Sequence, residues 1–178
     1  LAAYVVAIIA VLLTALTVAR EWELGSMEQL FATPVSRLEI VIGKLLPYLG
    51  LGLGAVVLVL SAGALAFGVP FRGSVLAVAI ASILFVLGML AQGLLISVVT
   101  KNQMVATQAA SMSSVPPTML LSGFLCPIEN MPVPLQIITR IIPARYYIAI
   151  LRGALLRGTT FQELLGPIAA LAIFATVL

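Results

Sequence analysis

Residues 73–100 read GSVLAVAIASILFVLGMLAQGLLISVVT, a run of 28 positions with no acidic or basic side chain. A helix rises about 1.5 Å per residue, so this run crosses a hydrocarbon core of about 30 Å with residues to spare. Lipid offers no partner for backbone N–H and C=O groups, and a stretch this long satisfies them only as a helix. Four further runs are equally free of charge, at 1–19, 45–71, 102–128 and 164–178. Together they predict an all-α, polytopic membrane protein with five helical spans, at about 1–19, 45–69, 74–100, 104–126 and 164–178, in one membrane domain over 1–178.

Composition points the same way. Hydrophobic residues make up 62% of the 178, charged residues 8%, and the mean hydropathy is +1.24. A soluble domain carries about a quarter charged residues, so this chain cannot clothe a water-facing surface. It holds no His and no Asp. That removes imidazole bases, His metal ligands and His-activated nucleophiles, and no metal site is expected. Cys126 is the single cysteine and is read as a small apolar filler. Nine scattered Lys and Arg, giving a net charge of +3, make no nucleic-acid footprint. The sequence opens on Leu1 and is still apolar over 168–178, so it is read as the interior of a longer protein.

Between the runs lie two short turns, 70–73 and 101–103, and two long connections, 20–44 and 127–163. Alternating crossings put the first and third connections on one face, the second and fourth on the other. The Lys and Arg tally is four against five, which leaves the orientation open.

The first long connection begins REWELGSMEQLFATPVSRLE, residues 20–39. Gly25 breaks the preceding helix, Ser26 with Gln29 is expected to form a capping box, and Pro34 stops a short helix after about two turns. Met27, Leu30 and Phe31 share one face of it. Ser36 with Glu39 is a second capping box that launches the next span. A helix resting on lipid is one reading. Anionic headgroups would repel Glu21, Glu23 and Glu28, so a docking surface for a soluble partner fits better.

The second long connection is Pro-rich. Pro134 starts a helix with Leu135, Ile138, Ile141 and Ile142 along one face, and Pro143 breaks it. A second helix, over about 144–157, turns Tyr146, Tyr147, Ile150, Leu151 and Ala154 inward. Gly158 stops it, and Thr160 with Glu163 caps the last span. Neither helix is long enough to span, and the pair is expected to dip into the membrane edge as a hairpin.

Inside the fourth span Thr107, Ser111, Ser114, Thr118 and Ser122 recur every three or four residues as one polar stripe, and Pro116 and Pro117 kink the helix midway. The stripe is either a wall of a substrate path, with the prolines as its hinge, or a helix contact whose hydroxyls bond back to the preceding turn. Gly50-x-x-x-Gly54 invites a close helix neighbour, and Gln92 a helix-to-helix hydrogen bond.

The segment Arg20-Glu-x-Glu-x-Gly-Ser-Met-Glu-Gln-Leu30, followed by Thr33-Pro-Val-Ser-Arg37, resembles the cytoplasmic connection of bacterial type-2 ATP-binding cassette (ABC) transporter permeases. Ser122-Gly-Phe124, Pro127-Ile-Glu-Asn-Met-Pro132 and Arg152-Gly153 resemble the external hairpin of the same family, in the right order and about 100 residues downstream. The resemblance implies six spans per subunit, with the first span and a large external segment missing here. It implies the plasma membrane (the bacterial inner membrane), a cytoplasmic 20–44 connection and an external 127–163 hairpin. It also implies a second permease subunit, as a homo- or heterodimer, and cytoplasmic ABC ATPase subunits that hold ATP and Mg. Some members of the family add a periplasmic adaptor. No cofactor is expected on this chain, whose other neighbours are membrane lipid.

No Gly-x-x-x-x-Gly-Lys-[Ser/Thr] loop is present, since Gly43-Lys44 lacks the upstream Gly and the hydroxyl, so the chain is not expected to be an enzyme. Energy would arrive as a push on the short 26–33 helix. Met27, Leu30 and Phe31 are expected to fill a groove on the ATPase, with Glu21, Glu23 and Glu28 pairing to its basic rim. Burying each apolar anchor contributes about 1.5–3 kcal/mol before binding costs. A secondary transporter would need an ionisable residue within the membrane, and a membrane enzyme a base or nucleophile, and the runs supply neither. A membrane scaffold, or a secondary transporter without an ATPase partner, is the alternative reading. A path lined by Ser, Thr, Met and aliphatic groups suits export of drug-like or lipidic molecules.

Overall fold

The computed structural model describes residues 2–31, 36–68, 73–121, 132, 136–137, 139–157 and 161–177. Helix α1 (Ala2–Glu23) stops where Gly25 takes a left-handed φ of +70°, which a residue without Cβ adopts at little cost. The short α2 (Ser26–Phe31) follows at once. Helix α3 (Arg37–Phe67) starts from the capping box read in the sequence: the Ser36 hydroxyl accepts the Glu39 N–H, and the Glu39 carboxylate accepts the Ser36 N–H at 2.8 Å. Ser26 departs from expectation. It is the first residue of α2, and its hydroxyl donates backward to the Glu21 carbonyl at 3.0 Å, so it ties α2 to α1 in place of the expected box with Gln29.

Ser74 caps α4 (Val75–Thr100), which closes on Lys101 at φ +49°. Asn102 then accepts the Val105 N–H at 3.1 Å and starts α5 (Gln103–Pro116). Two adjacent prolines bring no N–H to the ladder, and past them the chain widens into a π-helical segment, Pro117–Leu121. The remainder of the expected fourth span, Ser122 included, lies outside the described residues. Pro143 begins helix α6 (Pro143–Arg152), which runs on as a π-helical segment, Gly153–Arg157. A 3-10 turn, Phe161–Leu164, leads into α7 (Leu165–Val177). Pro134, Leu135, Ile138, Gly158 and Thr160 lie outside the described residues.

The described chain is all-helical. Three stretches, Ala3–Glu23, Leu38–Leu65 and Val75–Thr100, are long and apolar enough to cross a membrane, and Leu165–Val177 is a shorter apolar helix. Helices α1 and α4 form the central pair, with α3, α5 and α7 around them and α6 laid against α4 and α7. Lipid is as apolar as the helices, so close packing of small residues must hold them together. Ala3, Ala7, Ala10 and Ala15 of α1 are buried, as are Ala77 and Ala81 of α4. At Gly93 a Cβ would stand 2.6 Å from the Val11 carbonyl oxygen, so here the two backbones touch. Gly50 and Gly54, the sequence's own candidates for such an approach, face open space. Their neighbour Gly52 makes it instead, with a Cβ there only 2.6 Å from the Val86 Cγ1. Helix α3 is the outlying member, 11% buried over its apolar window against 50% for α1 and α4.

Two contacts fix which ends lie together. The Glu23 carboxylate accepts the Gln103 N–H at 2.8 Å, joining the first connection to the third. At Gly73 a Cβ would fall 2.6 Å from the Ala154 Cα, joining the second to the fourth. This is the alternation expected of successive crossings. At the second end Tyr147 is wholly buried, stacks on Phe85 with ring centroids 4.3 Å apart, and places its hydroxyl 2.9 Å from Ser82 Oγ. The Ser82 hydroxyl donates to the Val78 carbonyl at 2.7 Å, so the Tyr147 phenol is the donor between them.

Candidate functional site

The charged residues of the first connection gather at one end of the bundle. Lys44, on the second turn of α3 and largely buried, donates to the Glu21 carboxylate and reaches the Met27 sulfur at 3.1 Å. Lys101, between α4 and α5, sets its ammonium 4.8 Å from the centre of the Trp22 ring, a cation–π contact. Glu23 caps α5. The end of α1 is thereby fastened to α2 and α3 on one side and to the start of α5 on the other.

The residues expected to meet a partner divide within this cluster. Met27 is buried, at 4% exposure, and anchors α2 to its own bundle. Leu30 is half-buried, and Glu28 and Gln29 are exposed. The side chain of Phe31 lies outside the described residues. Glu21 is held by Lys44 and Glu23 by α5, which leaves Glu28 as the carboxylate of α2 turned to solvent.

The polar stripe of α5 also divides. Ser114 and Thr118 are buried, whereas Thr107 and Ser111 are half-buried and line an open groove of about 820 Å³. Glu23, Gln108, Met104 and Met112 complete much of its wall. The hydroxyls bond back to their own helix: Thr107 to the Gln103 carbonyl at 2.7 Å, Ser111 to that of Thr107 at 2.8 Å, and Ser114 to that of Ala110 at 2.7 Å. A smaller cavity of about 300 Å³ lies further along, where Gln92, Ser113, Pro117, Thr118 and Phe174 come together. Of the two prolines singled out as a hinge, Pro117 lines this cavity and Pro116 is exposed. Among the described residues no three of His, Cys, Asp and Glu cluster as metal ligands do.

The arrangement offers a fastened surface helix and an open groove. The model for ABC-2 family transporter proteins matches residues 1–178. The chain belongs to this family. Among permeases of Escherichia coli K12, the chain is similar to the probable multidrug ABC transporter permease YbhS, with 43% identity over 86% of this chain. It is also 35% identical to the probable multidrug ABC transporter permease YbhR over 85% of its length. To the inner membrane transport permease YhhJ it is 29% identical over 88%. The chain spans only 41% of YbhS and of YbhR and 42% of YhhJ. No solved structure matches it.

For this ABC-2 chain, sequence reasoning found the short helix and the stripe and missed the two lysines that organise them. Lys44 and Lys101 looked like ordinary flanking charges. The available signal was an excess of acid on one connection, Glu21 and Glu23, which needs a base or a helix end nearby.

Proposed function

We infer that this chain is the membrane-embedded part of an ABC exporter permease, driven by ATP hydrolysis on a separate cytoplasmic ATPase and working with a second, identical or similar, permease. The 20–44 connection and α2 face the cytoplasm of a bacterial inner membrane, the 127–163 hairpin faces outward, and five spans of this chain join a sixth in the full subunit. Family membership supports the reading, as do the inner membrane transport permease and the two probable multidrug permeases among its relatives. Drug-like amphipathic molecules are the substrate class, moving along the α5 stripe with Pro116 and Pro117 as its flexing point.

One observation carries the inference. α2 is six residues long, yet the Ser26 bond to Glu21 and the Lys44 contacts with Glu21 and Met27 fasten it to two helices at once, with Glu28 and Gln29 left exposed. A helix so short is not stable alone; held this way it can transmit a push into α1 and α3. Leu30, Glu28 and Gln29 form the face offered to the ATPase, and Met27 fixes the helix beneath it.

The test is co-purification of the full-length permease with its ATPase. Leu30→Asp should abolish capture or uncouple ATP hydrolysis from export. Labelling of a cysteine placed at Glu28 from outside intact cells would overturn the reading, because no cytoplasmic ATPase could then reach α2.

A further inference from the structure

The groove at the start of α5 has a chemistry that the transport reading leaves unused. Its hydroxyl protons are spoken for, since Thr107 and Ser111 both donate to carbonyls of their own helix. What these oxygens turn toward the groove is therefore acceptor capacity. Met104 and Met112 add polarizable thioethers and are 80% and 67% exposed. The one formal charge among the described lining residues is the Glu23 carboxylate. A carboxylate offers about four acceptor positions, and the Gln103 N–H takes one of them. Lys101, the neighbouring base, lies over Trp22 and is not part of the lining. The volume, about 820 Å³, matches a drug-sized ligand.

We propose that this groove is the cytoplasmic entry of the path and selects amphipathic cations, with Glu23 as the counter-charge and Met104 and Met112 as the adaptable apolar wall. The inference rests on reading α5 as a wall of the path. The amides of Asn102, Gln103 and Gln108 in the lining serve neutral or charged ligands alike, so the Glu23 carboxylate, its one charge, is what favours an organic cation over a neutral molecule of equal size and disfavours an anion. The Glu23 contact with Gln103 also means that a bound cation reports directly on the start of α5, the element that has to flex.

The test uses the full-length permease with its ATPase partner in lipid nanodiscs and two probes, tetraphenylphosphonium and neutral triphenylphosphine oxide, with binding measured by equilibrium dialysis. The wild type should prefer the cation. Glu23→Gln keeps an acceptor for the Gln103 N–H but removes the charge, and should weaken the cation about fivefold while leaving the neutral probe unchanged. Glu23→Asp should retain the preference. Equal weakening of both probes would mean that Glu23 only supports the fold, and no change in either would mean that the carboxylate is idle. Each result overturns cation selection while leaving the path intact. If the wild type binds neither probe, the path along α5 falls, and this inference with it.

Discussion

The Tyr147 hydroxyl lies 2.9 Å from Ser82 Oγ while the Tyr147 ring stacks on Phe85, so one side chain of α6 is held by two residues of α4. Ser82 also donates to the Val78 carbonyl at 2.7 Å and keeps that partner if the phenol is lost. Tyr147→Phe should therefore cost about 1 kcal/mol, the net worth of one hydrogen bond. Tyr147→Ala, which removes the stacked ring as well, should cost about 3–5 kcal/mol. Thermal unfolding of the purified protein in detergent separates the two. Equal losses would mean that the hydroxyl, and not the ring, holds α6 to α4.

The glycines of the central pair should differ sharply in tolerance. Gly93→Ala brings a methyl to 2.6 Å from the Val11 carbonyl oxygen and 3.0 Å from Thr14 Cβ. It should destabilise by about 1–3 kcal/mol, the usual penalty for overpacking. Gly50→Ala and Gly54→Ala meet nothing within 4 Å and should be neutral or slightly stabilising. Melting temperatures of the three variants decide this.

The Lys44–Glu21 pair should couple more strongly than an exposed ion pair. Lys44 keeps only 14% of its side-chain surface and Glu21 keeps 35%. A double-mutant cycle with Lys44→Met and Glu21→Gln should return a coupling above about 1 kcal/mol, beyond the ordinary range for surface pairs. A coupling near zero would remove the fastening of α2 from the mechanism.

Ser36→Ala should cost about 1 kcal/mol by stripping the α3 cap, and Glu39→Ala should cost less, since the hydroxyl bond to the Glu39 N–H survives. Hydrogen exchange at the Glu39 amide reads the effect locally. Protection there that is unchanged by Ser36→Ala would rule out the cap.

Much of this architecture was legible because membrane crossing is written in composition. Charge-free runs set the long helices, and the Ser36–Glu39 box marked the start of α3 to the residue, because both signals are local. The helix neighbours were not legible. Whether Gly50, Gly52 or Gly54 faces Val86 depends on the rotation of α3 about its axis, which one sequence does not encode in a residue pattern. The Ser26 box failed for a related reason. A cap requires non-helical backbone at the capping residue, and here Ser26 is already the first residue of α2, with its hydroxyl turned to the Glu21 carbonyl. The stripe of α5 was found as a period, but its division into a buried half and a groove-facing half depends on which neighbours pack against each turn.

The backbone contact at Gly93 settles how displacement can be distributed. With Val11 and Gly93 in touch, α1 and α4 cannot slide past one another without breaking van der Waals contact along both, so they behave as a single mast. If α2 takes the push proposed for it, the displacement passes to the periphery, where α3 is loosely seated. The closest packing among the described helices thus lies in the middle of the bundle, and the loosest at its rim.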